Sequence, residues 1–284
     1  AMADASYQWI DIDPFGSPVP FIDSAIQSLA RTGVLEVTAT DTAALTGSSL
    51  SSQKRRYGAQ GIVDDYAHDD AVRVLLGMIA KTAAMHDRII KPILSLFDGH
   101  HVRVSVLIKT SKEAASNFQE QLGYRLRTKD VPYKFIKYPS ADQIKSASGP
   151  LWIGPLMDKE IAGRLTEECA IQTCLPTTDE LEELIAKGLA WSDKDVEYAT
   201  REMIRSVKHI SSAADLLSRQ HMLLSLNSMP RLAGTKGAPK MDDVISDLIE
   251  LGYSAARYPD MEPMFVTDAS FDDVISIFRK YHYD

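Results

Sequence analysis

Asp13, Pro14 and Phe15 stand between a short apolar run, Tyr7 to Ile10, and a helix-patterned segment, Val19 to Ala30. An ionised aspartate accepts hydrogen bonds and donates none. Proline lacks an N–H and fixes φ, which holds the preceding peptide rigid. A phenyl ring offers a flat face to a flat partner such as an unstacked base. An acceptor, a rigid turn and a ring in succession suit an exocyclic amine on a flat heterocycle. The string Asp13-Pro14-Phe15-Gly16-Ser17-Pro18 also reads as an ordinary strand-to-turn connection that packs a core, and the short motif alone does not choose.

Such residues act where open α/β sheets bind ligands, on the turn leaving the carboxyl end of a strand. The flanking pattern provides one: the apolar run is the strand, and a helix from about Pro20 to Arg31 follows, stopped at Thr32-Gly33. Val34 to Thr40 is β-branched and predicts a second strand. A Ser/Gly-rich loop spans Thr46 to Ser52, and Lys54-Arg55-Arg56 follows it. Asp65 to His86 has helical periodicity, with Val72, Leu75, Leu76, Ile79 and Ala83 on one side. Strands at Ile93–Phe97 and Val102–Ile108 and a helix at Ser111–Leu122 complete this unit.

Residues 124–145 interleave rings and cations: Tyr124, Arg125, Arg127, Lys129, Tyr133, Lys134, Phe135, Lys137, Tyr138 and Lys145. That pattern suits a phosphate backbone with stacked bases, or equally an amphipathic strand pair with solvated cations. Lys54, Arg55 and Arg56 pose the same choice between gripping phosphates and a solvated charge run. Helices are expected at about Asp158–Cys174, Thr178–Ala186, Ser192–Lys208 and Ser211–Leu226, then a loop from Asn227 to Lys240. The tail reads helix (Asp242–Leu251), strand (Tyr253–Tyr258), strand (Met264–Thr267), helix (Phe271–Tyr281), a small α+β module.

The 284 residues are 45% hydrophobic, ordinary for a globular chain of two domains. The formal net charge of -8 argues weakly against nucleic acid. The charge is uneven, however. Residues 241–284 hold three Lys+Arg against ten Asp+Glu, whereas residues 111–240 hold eighteen against seventeen, so the middle is free to present a basic face. Cys169 and Cys174 are the only cysteines, too few for a disulfide framework or a four-thiolate zinc site in one chain, which fits a reducing cytosol. Both are expected in the core. No apolar run reaches membrane-spanning length.

The fuller string Asp13 to Pro18 resembles the tRNA guanine-26 N2-dimethyltransferases, within the wider (Asp or Asn)-Pro-Pro-aromatic pattern of amino methyltransferases. Further blocks resemble the same family in order: Thr38-Ala39-Thr40-Asp41-Thr42-Ala43, Arg56-Tyr57-Gly58, Tyr66-Ala67-His68-Asp69, Arg73-Val74-Leu75-Leu76-Gly77 and Gly149 to Leu156. The resemblance implies an α/β fold. Residues 1–123 are then the carboxyl-terminal half of a Rossmann-like class I methyltransferase sheet, and residues 124–284 a smaller α+β, tRNA-binding domain. It implies a cytoplasmic enzyme that uses S-adenosyl-L-methionine to methylate the N2 amine of a tRNA guanine, with Asp13, Pro14 and Phe15 as catalytic residues. Asp13 and Pro14 also face the cofactor. Lys54, Arg55, Arg56, Arg125, Arg127, Lys134 and Lys137 are the expected RNA-binding residues.

Two departures from the family matter. No strand followed by GxG precedes Asp13, so the rest of the cofactor site is expected upstream of Ala1, and the chain is expected to begin downstream of a removed segment. Cysteines that many relatives carry before the Gly-Pro-Leu-Trp block are absent, so no metal is expected. Two other functions stay in view: an amino methyltransferase acting on DNA or protein, and a non-catalytic RNA-binding fragment. His68 and Asp69 could form a catalytic pair, although a surface or interface histidine suits them better; Trp152 reads as structural.

Overall fold

A computed structural model describes residues 6–175, 177–188, 192–219, 221–259, 261 and 263–281. Residues 1–5, for which the sequence suggests no role, lie outside them. The chain opens with strand β1 (Tyr7–Ile12), helix α1 (Val19–Ser28), strand β2 (Leu29–Ala39) and the short helix α2 (Thr42–Leu45). Helices α3 (Leu50–Tyr57) and α4 (Ala67–Ala84) follow, then strands β3 (Arg88–Phe97) and β4 (Val102–Thr110). The four strands form one mixed sheet in the order β1-β2-β4-β3. β1 runs parallel to β2, and β4 is antiparallel to both of its neighbours.

Alternation along β2 gives the sheet two unlike faces. Leu35, Val37 and Ala39 have no exposed surface and pack with Val104, Val106 and Ile108 of β4 into the main core. Glu36 and Thr38 point the other way and meet a polar row: Ser105 Oγ donates to Glu36 at 2.8 Å, and Arg103 donates to Thr38 at 2.6 Å and to Asp11 at 2.9 Å. The apolar face is roofed by α1 and α4. The stripe expected on α4 is buried in full, and each of Val72, Leu75, Leu76 and Ile79 contributes about 1.5–3 kcal/mol by leaving water.

A three-stranded antiparallel sheet, order β6-β5-β7, packs beside α4. It consists of β5 (Leu122–Arg127), β6 (Tyr133–Ile136) and β7 (Ala147–Trp152), reached through α5 (Lys112–Ser116) and a 3₁₀ turn, with α6 (Ala141–Ile144) between β6 and β7. Helices α7 (Lys159–Ala162), α8 (Glu167–Cys174), α9 (Thr178–Ala186) and α10 (Asp193–Leu217) come next. The tail comprises β8 (Met222–Ser225), α11 (Met229–Ala233), α12 (Met241–Glu250), β9 (Ala255–Arg257), β10 (Met264–Thr267) and α13 (Phe271–Lys280), with its sheet in the order β8-β10-β9.

Several expectations change here: the helix expected at Asp158–Cys174 is two, α7 and α8, and the loop expected from Asn227 to Lys240 contains α11. The helices expected at 192–208 and 211–226 are one helix, α10, because Ser211 and Ser212 turn their hydroxyls back onto the carbonyls of Lys208 and His209 and leave the backbone ladder intact. The apolar residues Met222 to Leu224, read as the end of a helix, form β8, an edge strand paired to β10. The tail has its own small core of Leu224, Val244, Leu248, Phe265, Val274 and Phe278. The main core crosses residue 123: Trp152, Leu156, Leu217 and Tyr258 belong to the same cluster as Leu75 and Val104. No helix among the described residues is long and apolar enough to cross a membrane.

Candidate functional site

β1 delivers Asp13 to Pro18 at its carboxyl end, on the side to which the parallel strand β2 also runs. Phe15 is 105% exposed, and Asp13 is exposed beside it. Asp11, Asp13 and Asp41 lie toward this end of the sheet. Asp11 is held by Arg103 at 2.9 Å. Asp41 is held by Arg56 at 2.8 Å and by the Tyr57 hydroxyl at 2.6 Å. Asp13 has no hydrogen-bond or ion-pair partner among the described residues, and no hydrogen bond occupies the Pro14 carbonyl. Two acceptors are thus left open to a donor from outside.

The loop is fastened to the end of β2. The Gly16 N–H donates to Thr40 Oγ1 at 2.6 Å, and the Thr40 N–H donates back to the Gly16 carbonyl at 3.0 Å. Ser17 Oγ lies 3.0 Å from the Tyr57 hydroxyl. Gly16 has φ +89°, a backbone state that glycine adopts without strain. Burial, reinforced by the Asp41 carboxylate, pushes the Tyr57 phenol far above its usual range, so it stays protonated and donates to Asp41. None of five cavities of 330–590 Å³ among the described residues is lined by Asp13, Pro14 or Phe15. The loop lies at the edge of the described sheet, since β1 is its first strand, and it presents Asp13 and Phe15 at the surface.

The expected RNA-binding cations divide into unlike groups. Lys54 and Arg55 are exposed on the last turn of α3, next to Tyr57, and have no partner among the described residues. Arg56 is exposed in part and paired with Asp41. Arg127 and Lys134 are exposed on the β5–β6 hairpin, with Arg127 3.7 Å from Asp64; Lys137 is exposed and bonded to Glu120 at 2.7 Å. Arg125 corrects the expectation. It is 0% exposed, with two bonds to Asp70, both at 2.7 Å, and two to Asp64, at 2.9 and 3.1 Å. Its cation is spent inside the protein, because a buried guanidinium must be paired where it lies.

The remaining candidates are placed as follows. His68 lies flat on Phe97, centroids 4.2 Å apart, and partial burial lowers its imidazole below the usual range. Asp69 does not meet it; that carboxylate takes Arg73 at 2.6 Å and the Tyr258 hydroxyl at 2.9 Å, both buried. No catalytic pair forms. Trp152 is buried and donates from Nε1 to the Pro155 carbonyl at 2.7 Å. Cys169 and Cys174, expected in the core, are both exposed, because α8 turns them outward and buries Ala170 instead. Sequence reasoning gave Asp41 and Tyr57 no role. Both fall in blocks that carried the family resemblance, the one signal that could have singled them out.

A mixed α/β sheet whose strand end presents free acceptors beside a bare ring defines the class: an α/β protein with an exposed, acceptor-bearing loop at the carboxyl end of a parallel strand. The chain belongs to the N2,N2-dimethylguanosine tRNA methyltransferase family, whose sequence pattern matches residues 1–218. It is 37% identical over 164 residues to a tRNA (guanine(26)-N(2))-dimethyltransferase of Thermoplasma volcanium, covering 57% of this chain and 45% of that protein. With the enzyme of the same name from Archaeoglobus fulgidus it is 30% identical over 287 residues, covering 98% of this chain and 71% of that one. Among solved structures, the complex of Trm1 from Pyrococcus horikoshii with S-adenosyl-L-methionine matches with a TM-score of 0.73 and 27% identity, over 95% of this chain and 65% of Trm1. The chain spans about half the length of the first of these relatives and about two thirds of Trm1.

Proposed function

We propose that this chain carries the methyl-acceptor side of an S-adenosyl-L-methionine-dependent enzyme that methylates the N2 amine of guanine 26 in tRNA. The observation that carries the reading is the pair of unoccupied acceptors, the Asp13 carboxylate and the Pro14 carbonyl, beside the fully exposed Phe15. The names of these relatives and the Trm1 complex support it. In this reading the four-stranded sheet is the second half of a class I methyltransferase sheet. Residues 1–123 do the chemistry and residues 124–284 grip tRNA, in a reducing, cytoplasmic setting that suits exposed free thiols.

The guanine N2 amine is a poor nucleophile, because its lone pair is drawn into the ring. Accepting its two N–H bonds at Asp13 and Pro14 favours a pyramidal nitrogen and frees the lone pair. S-adenosyl-L-methionine, when bound, supplies an electrophilic methyl group; Asp13 and Pro14 fit its side of the site because they are acceptors exposed at a strand's carboxyl end. The amine hydrogen on Asp13 turns acidic as nitrogen gains a substituent, and the carboxylate is placed to take it. Phe15 stacks on the extruded base. Lys54 and Arg55 hold phosphates beside the loop, and Arg127, Lys134 and Lys137 hold more distant ones. Arg125 and Arg56 act within the protein.

Asp13→Ala in the intact enzyme tests this. Transfer of labelled methyl to tRNA should fall by at least about 10²–10³-fold, the scale of losing one preorganised polar group, while tRNA binding survives. Near-normal turnover rejects the role. The open surface at the loop favours one second reading, RNA binding without catalysis. Calorimetry with S-adenosyl-L-methionine on this chain and on a full-length version separates the two: an absence of binding heat in both supports the second.

A further inference from the structure

We propose that Tyr57 is a positioning residue for the Asp13–Ser17 loop, holding its acceptors in place through a one-way chain of hydrogen bonds anchored on Arg56. The clamp rests on geometry; its kinetic consequence rests on the methyl-transfer reading above.

The loop has little else to hold it. Phe15 is fully exposed, Asp13 has no partner, and a Cβ built on Gly16 would meet nothing within 4 Å. Its attachments are the paired bonds between Gly16 and Thr40 and the contact from Ser17 to Tyr57. The direction of the second is fixed by proton count. A phenol has one proton, and that of Tyr57 goes to Asp41 Oδ1 at 2.6 Å. The Tyr57 oxygen is then an acceptor for Ser17, so Ser17 Oγ donates at 3.0 Å. Arg56 takes the other carboxylate oxygen, Oδ2, at 2.8 Å and fixes the rotation of Asp41.

The chain therefore reads Ser17 to Tyr57 to Asp41, with Arg56 closing it. Its far end is stiff. Thr40 and Asp41 directly follow the last residue of β2, and the Tyr57 ring is 6% exposed at the end of α3. The loop is thus tied to the sheet rather than to another loop. Arg56 serves here as a structural counter-charge, which removes it from the set of phosphate-gripping cations. If Tyr57 merely filled space, its hydroxyl would be dispensable.

Tyr57→Phe keeps the ring and deletes the hydroxyl; Ser17→Ala deletes the donor from an exposed loop and does not threaten the fold. In the protein without RNA or cofactor, amide hydrogen exchange at Gly16, whose N–H is bonded to Thr40, should speed up by about tenfold in either variant, the scale of one hydrogen bond. The double variant should add little, since both changes cut one link. In the full-length protein with tRNA and S-adenosyl-L-methionine, kcat should fall by about tenfold in each variant while KM for tRNA stays within about twofold. Exchange and kcat of Tyr57→Phe within about twofold of the parent overturn the proposal, as do losses that multiply in the double variant. If the full-length parent transfers no methyl group, the functional reading fails while the exchange rates still decide the clamp.

Discussion

Arg125 allows two opposed expectations to be separated by one variant pair. The guanidinium is fully buried and divides four bonds between Asp70 and Asp64. Asp70→Ala removes the two shortest and leaves a buried cation with one carboxylate. Breaking a buried pair from one side costs about 3–5 kcal/mol, against a total stability of about 5–15 kcal/mol. At about 2–4 °C per kcal/mol for a chain of this size, the melting temperature should fall by about 6–20 °C. Arg125→Met strips the other partner. Burial already holds the Asp70 carboxyl above its usual range, with Arg125 opposing it, and loss of the cation raises it further. A carboxyl whose folded pKa lies above its unfolded value keeps its stability at low pH and loses it as pH rises through that interval. The penalty of Arg125→Met should therefore be smaller at pH 5 than at pH 8. Arg127→Ala, at an exposed site 3.7 Å from Asp64, should cost no more than about 1 kcal/mol. Thermal unfolding followed by circular dichroism at the two pH values measures all three. The reasoning is refuted if Arg125→Met melts within about 2 °C of the parent while the salt dependence of tRNA binding falls by about one unit, the signature of a lost phosphate contact.

Replacing Lys54 and Arg55 together by alanine should reduce the slope of log affinity against log salt by about 1.8, at about 0.9 per phosphate contact in a duplex; filter binding of tRNA over a salt series reads it, and an unchanged slope removes both from the interface. Burial, assisted by Arg73, lowers the His221 imidazole, and partial burial lowers His68, from an ordinary value of 6.5. The folded protein thus refuses protons that the unfolded chain accepts, so stability should be full above about pH 6.5 and erode as pH falls toward the folded values. Urea midpoints between pH 7.5 and 5 should show that decline, and His221→Gln should flatten it; a parent curve with no decline counts against the assignment. Cys169 and Cys174 should both react with a thiol reagent in native buffer at the rate of exposed thiols; protection until denaturant is added would contradict their placement.

What could be read from the chain follows the range of the forces involved. The Asp13 loop and α4 were legible because each rests on neighbours in sequence: an apolar run before a proline turn, and a 3.6-residue apolar period. Arg125 was not, because sequence displays its charge and hides its partners, Asp70 and Asp64, which lie 55 and 61 residues away. β8 failed for a related reason. A short apolar run is ambiguous between helix and strand, and its pairing partner β10 is supplied some forty residues later. No break forms near Ser211, because the hydroxyls of Ser211 and Ser212 are satisfied within the helix. At the loop, the residues with open acceptors were identified by type, whereas the hydroxyl of Tyr57 gained its meaning only once folding brought it beside Ser17, 40 residues earlier.

The bond from Tyr258 to Asp69 spans 189 positions of the chain. During synthesis at about 5–20 residues per second, α4 must wait roughly 10–40 seconds for that hydroxyl to emerge. Throughout that interval one oxygen of a carboxylate destined for the interior lacks its protein donor, and the groove that Tyr258 will fill stays wet. The interior around Asp69 is thus completed from the far end of the chain, after α4 itself has formed.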